Sequence, residues 1–301
     1  MNLAAEIALA HRLADAAREA IRPHFRTPVA AERKGDATPV TVADREAEAA
    51  MRKLIEAEYS ADGIHGEEFG LKEGKSGRQW VLDPVDGTCA FLAGRATFGT
   101  LIALLVDGFP VLGMIDQPIA GERWLGVAGQ PTTLNGEAVA TRACRELADA
   151  ALATTGPQYF TQDEGDRFMA LAAKTDHKRM IMGGDCYNYA LLASGFVDVV
   201  CESGLKIHDF AALVPVVEGA GGTMCDWNGE PLHAGSEGHV LAIGDPARLE
   251  DVLQALGGHA HYRLHYEAAR SRGARFTTRD SSACLATRAA RAGSNVSLTR
   301  R

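Results

Sequence analysis

Two aspartates stand close together directly after an apolar segment, in the run Asp83-Pro84-Val85-Asp86. Residues 80–82 are Trp, Val and Leu, which favour a buried strand, and Pro84 predicts that the strand ends there because proline has no backbone N–H to donate. Two carboxylates released at one strand end repel each other unless a cation lies between them. Mg²⁺ prefers oxygen ligands and is often held by one or two carboxylates plus a substrate phosphate. The pattern therefore suggests a metal-dependent phosphate site.

Gly87 and Thr88 extend this motif. Gly87 allows close approach of the backbone to a ligand, and Thr88 begins a predicted helix whose first N–H groups would face an anion. The same combination of Asp, Pro and Gly is also ordinary turn chemistry, so these residues alone leave a surface turn and a metal site equally open. Further acidic residues decide between them: the paired glutamates of Gly66-Glu67-Glu68, and Glu202 and Asp209 later in the chain.

Three separated motifs give the chain a resemblance to a known family. Gly66-Glu67-Glu68, residues 83–88, and Asp209 ahead of residues 218–222 occur in the order typical of the inositol monophosphatase family of metal-dependent phosphatases. The resemblance covers residues 1 to about 257. Within the family, the chain is most similar to the histidinol-phosphate phosphatase branch in residues 98–105, 113–118, 122–124 and 183–187.

The family implies an α+β fold with the layered αβαβα arrangement of the sugar phosphatases. Two helices are predicted over residues 2–25 and 41–59, and β-rich runs around the turns Asp107-Gly108 and Asn135-Gly136 predict a mostly antiparallel sheet region. From residue 151 onward, strands and helices alternate, which predicts a smaller α/β region. We therefore expect a metal-binding α+β lobe over residues 1–145 and an α/β substrate lobe over residues 146–257.

The last part of the chain, residues 258–301, differs in composition. Residues 259–301 hold nine Arg, no Lys, one Asp and one Glu, without sustained periodicity. We expect this basic C-terminal extension to be disordered or loosely attached, and it falls outside the family resemblance.

The resemblance also implies the metal ligands. Glu67, Asp83 and the carbonyl group of Val85 would bind one Mg²⁺. Asp83, Asp86 and Asp209 would bind a second, so that Asp83 bridges the two ions. Two or three ions per active site are expected. Asp44, in the first turn of the second helix, is either a helix-capping residue or a contributor to an additional metal site.

The same comparison assigns the catalytic and phosphate-binding groups. Glu67 and Thr88 would orient and deprotonate the attacking water. Asp86, Gly87 and Thr88 would contact the phosphoryl group, the last two through their backbone N–H groups.

Two further carboxylates are expected at the leaving group of the substrate. Glu202 matches a family position that contacts the alcohol portion of the substrate, and Asp185 falls in a loop that faces it. Two carboxylates suit a cationic leaving group better than an uncharged polyol. The alternative for Asp185 is that it only caps the helix that begins at Cys186.

These assignments predict a Mg²⁺-dependent phosphomonoesterase that converts L-histidinol phosphate to L-histidinol and phosphate, a reaction of histidine biosynthesis. Inositol monophosphate and a nucleotide 3′-phosphate are alternative substrates. A hypothesis of another class is a non-catalytic regulatory binding protein on the same fold, with the basic extension touching RNA or a partner.

Composition limits the remaining classes of function. A formal net charge of -8 and a pI of about 5.7 argue against a nucleic-acid-binding surface, so the expected partner is a small phosphorylated substrate. No apolar run reaches the length of a membrane span, and the six cysteines show no CxxC pair, which predicts reduced thiols and a cytoplasmic location. Dimers are common in the family, so a homodimer stays open.

Overall fold

The structure is a computed structural model that describes residues 2–28, 32–33 and 39–257. Its helices are α1 (Ala4–Ile21), α2 (Val42–Glu58), α3 (Thr88–Leu92), α4 (Gln162–Ala172), α5 (Cys186–Ala193), α6 (Ile207–Phe210), α7 (Leu213–Gly219) and α8 (Leu249–Ala255). Its strands are β1 (Glu32–Arg33), β2 (Pro39–Val40), β3 (Gly63–Gly66), β4 (Gly70–Lys72), β5 (Arg78–Asp86), β6 (Gly99–Val106), β7 (Phe109–Gln117), β8 (Glu122–Val127), β9 (Thr133–Leu134), β10 (Glu137–Ala138), β11 (Leu152–Thr154), β12 (Ile181–Met182), β13 (Val199–Glu202), β14 (Thr223–Cys225) and β15 (Val240–Ile243). The extension predicted over residues 258–301 lies outside the described residues, and its predicted disorder stays a prediction.

The two N-terminal helices form where the apolar residues recur at helical spacing. Leu9 and Ile21 of α1 are fully buried, and the helix ends two residues before Pro23. The N-terminus of α2 is closed by a capping box, in which Asp44 accepts the backbone N–H of Thr41 at 2.9 Å. The two helices pack against each other and against one face of a large sheet.

The large sheet has eight strands in the order β10-β9-β8-β7-β6-β5-β3-β4. All its neighbouring strands are antiparallel except β3 and β5, which are parallel. Asp107 and Gly108 connect β6 to β7 with φ of 50° and 84°, and Asn135 and Gly136 connect β9 to β10 with φ of 50° and 88°. Positive φ at both central residues matches the right-handed twist of the flanking strands. The mostly antiparallel first half is thus confirmed.

Strand β5 carries the aspartate motif, and here one prediction was wrong. The strand does not end at Pro84 but continues to Asp86 through a bulge. Asp83 pairs with Leu101 and Asp86 with Gly99, so Pro84 and Val85 stand opposite one residue of β6. A bulge leaves residues outside the regular ladder, which is where a strand tolerates the missing N–H of proline. The bulge turns both aspartates toward one spot.

A second sheet of five strands has the order β12-β11-β13-β15-β14. Strand β11 runs parallel to β12 and β13, whereas β15 is antiparallel to β13 and β14. The predicted alternation of strands and helices is therefore present, although the sheet is mixed. The helical segment that follows β13 is divided into α6 and α7.

The elements stack in the predicted αβαβα order. Helices α5 and α7 contact strands of both sheets and separate them, while α4 and α8 contact each other. One hydrophobic cluster joins α1 and α2 to the large sheet, and a second contains residues of both sheets, including Val81 and Val200. No helix of the described part of the chain is long and apolar enough to cross a lipid bilayer.

The boundary predicted near residue 145 falls between the last strand of the large sheet and the first strand of the small one. Because the second hydrophobic cluster spans both sheets, the division into two lobes stays a prediction. Cys89, Cys144, Cys186, Cys201 and Cys225 are free thiols, as expected for these five, and Cys284 lies outside the described residues.

Candidate active site

One pocket brings together the predicted site residues that lie far apart in the sequence. It is lined by parts of the β3–β4 connection, the end of β5, the start of α3, and the residues around β13, α5 and α6. The predicted residues that line it are Glu67, Asp83, Val85, Asp86, Gly87, Thr88, Asp185, Glu202 and Asp209.

Three aspartates form the floor of this pocket. Asp83, Asp86 and Asp209 can each offer a carboxylate oxygen, and these oxygens lie within 4.8 Å of one another. Asp83 is buried, and the other two are partly buried. Burial raises the pKa of Asp83, and the charges of Glu67, Asp86 and Asp209 raise it further. Burial also raises the pKa of Asp209 to about 7. The charge of Lys206 lowers the pKa of Asp209, but burial and the neighbouring carboxylates outweigh it, so the floor gathers negative charge.

The β5 bulge fixes the direction of the aspartates. The Thr100 hydroxyl donates to the Pro84 carbonyl at 2.8 Å, and the Val85 N–H donates to Asp83 at 3.0 Å. On the other side, the N–H of Cys186 donates to Asp86 at 2.6 Å, so Asp86 accepts a hydrogen bond from the first turn of α5. Asp209 accepts the N–H of Lys206 at 2.6 Å.

Glu67 is placed by a residue that the sequence analysis did not identify. Glu48 of α2 is fully buried and accepts the N–H groups of Glu68 at 2.7 Å and Phe69 at 3.2 Å. A Cβ at Gly66 would overlap the Glu48 carboxylate, which would then have to move away from the N–H groups it accepts. Glu67 forms an acidic group with Asp44 and Glu68, in which the ligand atoms lie within 4.8 Å of one another. This grouping differs from the predicted set of Glu67, Asp83 and Val85, which stays a prediction.

Thr88 and Gly87 form the turn between β5 and α3. Gly87 has φ of 87°, a conformation that L side chains rarely adopt. The Thr88 hydroxyl lies 3.2 Å from the carbonyl oxygen of Val85 and 3.4 Å from a carboxylate oxygen of Asp44. Asp44 thus caps α2 with one oxygen, and its other oxygen lies beside the Thr88 hydroxyl. Its contribution to an additional metal site stays a prediction.

Asp185 does not cap α5. Its side chain makes no capping hydrogen bond, and its backbone has φ of 46°. The carboxylate instead lies against Gly87, where an added Cβ would meet its Cγ at 2.9 Å. Burial raises the pKa of Asp185 to about 6, against the lowering effect of Arg95. The capping alternative is therefore excluded, and the side chain lies against the turn at Gly87.

Glu202 is a buried carboxylate at the end of β13. It accepts the N–H of Thr155 at 2.8 Å, the hydroxyl of Thr155 at 2.5 Å and the hydroxyl of Tyr189 at 3.1 Å. Burial raises its pKa to about 7, although these hydrogen bonds lower it. Thr155, Tyr189 and Glu48 carry no local sequence signal, because each acts on a residue at least 13 positions away.

The donor set fits a divalent cation. The pocket floor offers carboxylate oxygens, which hard cations such as Mg²⁺ prefer, and a cation would relieve the repulsion that raises the aspartate pKa values. Within the described residues, Asp44, Glu67 and Glu68 form a further oxygen group of the same kind.

Known proteins are similar to this chain in sequence and fold. Residues 2–261 match the inositol monophosphatase family. The chain is 47% identical over 261 residues to the bifunctional phosphatase IMPL2, chloroplastic, of Arabidopsis thaliana, covering 84% of this chain and 75% of that protein. It is 35% identical over 229 residues to the histidinol-phosphatase of Chlorobaculum parvum, covering 74% of this chain and 85% of that protein. The solved structure of an inositol monophosphatase from Zymomonas mobilis aligns with a TM-score of 0.79 at 51% identity, covering 85% of this chain and 99% of that chain.

The fold, the acidic pocket and these relatives define a metal-dependent phosphomonoester hydrolase. The chain belongs to the inositol monophosphatase family, as the three motifs predicted. The enzyme hypothesis is thereby supported over that of a non-catalytic regulatory protein.

Proposed function

We propose that this enzyme hydrolyses L-histidinol phosphate to L-histidinol and phosphate, with Mg²⁺ as its metal ion, in histidine biosynthesis. The observation that carries the proposal is the pair of carboxylates Asp185 and Glu202, which line the same pocket as the aspartate floor. Histidinol carries an amino group and an imidazole, both able to be cationic, so each carboxylate has a group to attract. An uncharged polyol gains little from the second charge.

The relatives support two substrates to different degrees. The similar proteins from Chlorobaculum parvum and Arabidopsis thaliana are called a histidinol-phosphatase and a bifunctional phosphatase. The similar structure from Zymomonas mobilis, at 51% identity, is called an inositol monophosphatase. Inositol monophosphate is therefore the second candidate substrate. A nucleotide 3′-phosphate stays an alternative substrate.

We infer that Glu67, Asp83, the Val85 carbonyl, Asp86 and Asp209 hold two Mg²⁺ ions. A third ion at Asp44, Glu67 and Glu68 is compatible with the second acidic group. Bound Mg²⁺ would stabilise the charge that develops on the phosphoryl group and lower the pKa of a coordinated water.

Glu67 and the turn at Gly87 and Thr88 also act directly on the reactants. Glu67, together with the Thr88 hydroxyl, orients the attacking water and accepts its proton. The first N–H groups of α3 have no carbonyl partner within the helix, and they donate to the phosphoryl oxygens from Gly87 and Thr88. Water adds to phosphorus as the ester oxygen leaves, and that oxygen takes up a proton to give the free alcohol. The cytoplasmic location and the homodimer stay predictions.

The proposal is tested by phosphate release from L-histidinol phosphate, inositol 1-phosphate, fructose 1,6-bisphosphate and adenosine 3′,5′-bisphosphate, each with Mg²⁺ and with a chelator. The expected result is the highest kcat/KM for L-histidinol phosphate, abolished by the chelator. A higher kcat/KM for inositol 1-phosphate would move the second candidate to first place.

Substitution of Asp185 tests the reason for this preference. Asp185→Asn should lower kcat/KM for L-histidinol phosphate about tenfold, which corresponds to a loss of roughly 1.4 kcal/mol of transition-state stabilisation. The kcat/KM for inositol 1-phosphate should change less than about twofold. A matched control is Asp176→Asn, since Asp176 caps a short helix and does not line the pocket. An equal loss on both substrates would contradict the assignment of Asp185 to the leaving group.

A further inference from the structure

The segment between β11 and α4 places an aromatic side chain in the pocket. Tyr159 lines the pocket, and 49% of the residue is exposed to solvent. Sequence reasoning gave this residue no function, since it stands in a connection between a strand and a helix. Its surroundings show how the ring is presented to a ligand.

Both ends of this connection are anchored. The N–H of Tyr159 donates to the Gly156 carbonyl at 3.3 Å within a single turn of 3₁₀-helix, Pro157–Tyr159. The next residue, Phe160, stacks on Phe168 of α4 with ring centroids 5.0 Å apart, and its ring lies 6.1 Å from that of Trp227. The backbone that carries Tyr159 is thus held in place before a ligand arrives, which reduces the entropy lost on binding.

The hydroxyl end of Tyr159 is directed toward the start of α3 and the Asp185 loop. Burial raises the pKa of the Tyr159 hydroxyl, and the nearby Cys89 and Asp185 raise it further. Cys89 follows Thr88 directly, and both line the pocket. The ring therefore shares one wall of the pocket with a carboxylate.

An aromatic face beside carboxylates suits one kind of ligand. A flat cationic ring is attracted by the quadrupole of a tyrosine and by the negative charges of Asp185 and Glu202 at once. A polyol offers neither a flat face nor a positive charge. A phosphate group alone would be repelled by the two carboxylates, so this wall faces the leaving group rather than the phosphoryl group.

We propose that Tyr159 recognises the imidazole ring of the leaving group by stacking against it, and that it is a specificity-determining residue of this enzyme. The proposal rests on the proposed function, because L-histidinol is the leaving group that carries such a ring. It adds a recognition element that depends on ring shape, separate from the charge of Asp185 and Glu202.

The test compares Tyr159→Leu and Tyr159→Phe with L-histidinol phosphate and inositol 1-phosphate as substrates. Tyr159→Leu should lower kcat/KM for L-histidinol phosphate about tenfold, mainly through KM, and change that for inositol 1-phosphate less than about twofold. Tyr159→Phe keeps the ring and should retain at least about half of the kcat/KM of the unaltered enzyme. Phe196→Leu is the matched control, since Phe196 is an exposed aromatic residue, 65% accessible, that does not line the pocket.

A second measurement separates this proposal from the proposed function. Product inhibition by L-histidinol is compared with inhibition by L-alaninol, an amino alcohol without the ring. Tyr159→Leu should weaken inhibition by L-histidinol about tenfold and leave that by L-alaninol unchanged.

An equal loss on both substrates, or unchanged inhibition by L-histidinol, would overturn the assignment of Tyr159. If the unaltered enzyme does not hydrolyse L-histidinol phosphate, the proposed function fails. L-histidinol binding then decides the Tyr159 proposal by calorimetry: weaker binding to Tyr159→Leu supports it, and unchanged or absent binding refutes it.

Discussion

Buried aspartates occur in two contrasting surroundings in this molecule. In the pocket floor, Asp83 and Asp86 are surrounded by other carboxylates, and their pKa values are raised first by burial and then by those charges. At the small sheet, Asp198 is 3% exposed and accepts two hydrogen bonds from Arg142, at 2.7 and 2.6 Å. Burial would raise the pKa of Asp198, but Arg142, the N–H of Ala151 and the charge of Arg179 outweigh it, and the pKa is lowered.

The difference separates function from structure. The protein pairs Asp198 with its own arginines, so that charge contributes to folding and needs nothing from outside. The carboxylates of Asp83 and Asp86 are surrounded mainly by other carboxylates, and their repulsion lowers the stability of the fold unless a cation binds there. Asp116 resembles Asp198, because it is buried and accepts hydrogen bonds from Arg18 and Arg123.

The strongest test of this contrast is the removal of one charge from each surrounding. Asp86→Asn should lower turnover with Mg²⁺ by about 10² or more, because a carboxylate at the proposed metal site is lost. The asparagine oxygen can still accept the N–H of Cys186, so the fold should persist. In chelator, the variant should melt at the same temperature as the unaltered protein or higher, since one repelling charge is gone. Turnover is measured by phosphate release and melting by calorimetry.

Asp198→Asn is the control for that experiment. It should keep turnover within about twofold while lowering the free energy of unfolding, because its partners are structural. Retention of full turnover by Asp86→Asn would contradict the assignment of Asp86 to the metal site. A loss of turnover in Asp198→Asn without unfolding would contradict the purely structural assignment of Asp198.

A smaller effect is expected from the residue that positions Glu67. Glu48→Gln places an amide N–H₂ among the N–H donors of Glu68 and Phe69 and weakens the pair with Arg52, whose Nε lies 2.7 Å from Glu48. Turnover should fall about tenfold, and the Mg²⁺ concentration for half-maximal activity should rise, since a ligand moved by a fraction of an ångström binds more weakly.

A matched control for Glu48→Gln is Glu58→Gln on the same helix, because Glu58 pairs with Arg12 at the protein surface. Its Mg²⁺ requirement should be unchanged. If Glu48→Gln lowers thermal stability but leaves the Mg²⁺ requirement as it was, Glu48 supports the fold and does not position the site.

The comparison also explains what the sequence could predict. The hairpin turns at Asp107-Gly108 and Asn135-Gly136 were predictable because positive φ at two adjacent residues is a local demand. The end of β5 was not, because the bulge that accommodates Pro84 depends on the partner strand β6 and on the hydroxyl of Thr100. A local rule on proline was overridden by a tertiary contact.

The site shows the same division. Acidic residues in spaced motifs predicted the pocket floor through their resemblance to a known family, whereas the residue types alone left a surface turn open. The surroundings of Asp185 were ambiguous in the sequence, because a helix cap and a ligand-facing carboxylate use the same residue at the same position. Glu48 acts across 20 residues, and Tyr159 depends on the packing of its neighbour Phe160. Neither leaves a local pattern.

The loss of folding stability in Asp198→Asn is expected to be a smaller effect than the losses of turnover in Asp86→Asn and Glu48→Gln. Asp198→Asn should lower the free energy of unfolding by about 1 to 2 kcal/mol at neutral pH, because Arg142 and Arg179 are partly exposed and solvent screens the pair. Urea unfolding followed by circular dichroism measures this difference. A change below about 0.3 kcal/mol would place Asp198 among the surface ion pairs that contribute nothing measurable.

The two kinds of aspartate should also give opposite dependences of stability on pH. The pKa of Asp198 is lower in the folded state, so its contribution is complete above the ordinary Asp value of 3.8 and is lost as the pH falls through the folded value. The difference in unfolding free energy between the unaltered protein and Asp198→Asn should therefore shrink toward acid.

The pKa of Asp86 is higher in the folded state, which therefore favours the protonated carboxyl. Stability is complete below the ordinary Asp value of 3.8 and falls as the pH rises toward the folded value, because the carboxyl has to ionise in the folded protein. In chelator, Asp86→Asn should gain stability relative to the unaltered protein as the pH rises above the ordinary Asp value of 3.8 toward the raised folded value. Parallel slopes for the two variants in urea titrations would show that the pocket aspartates are compensated from within the protein, as Asp198 is.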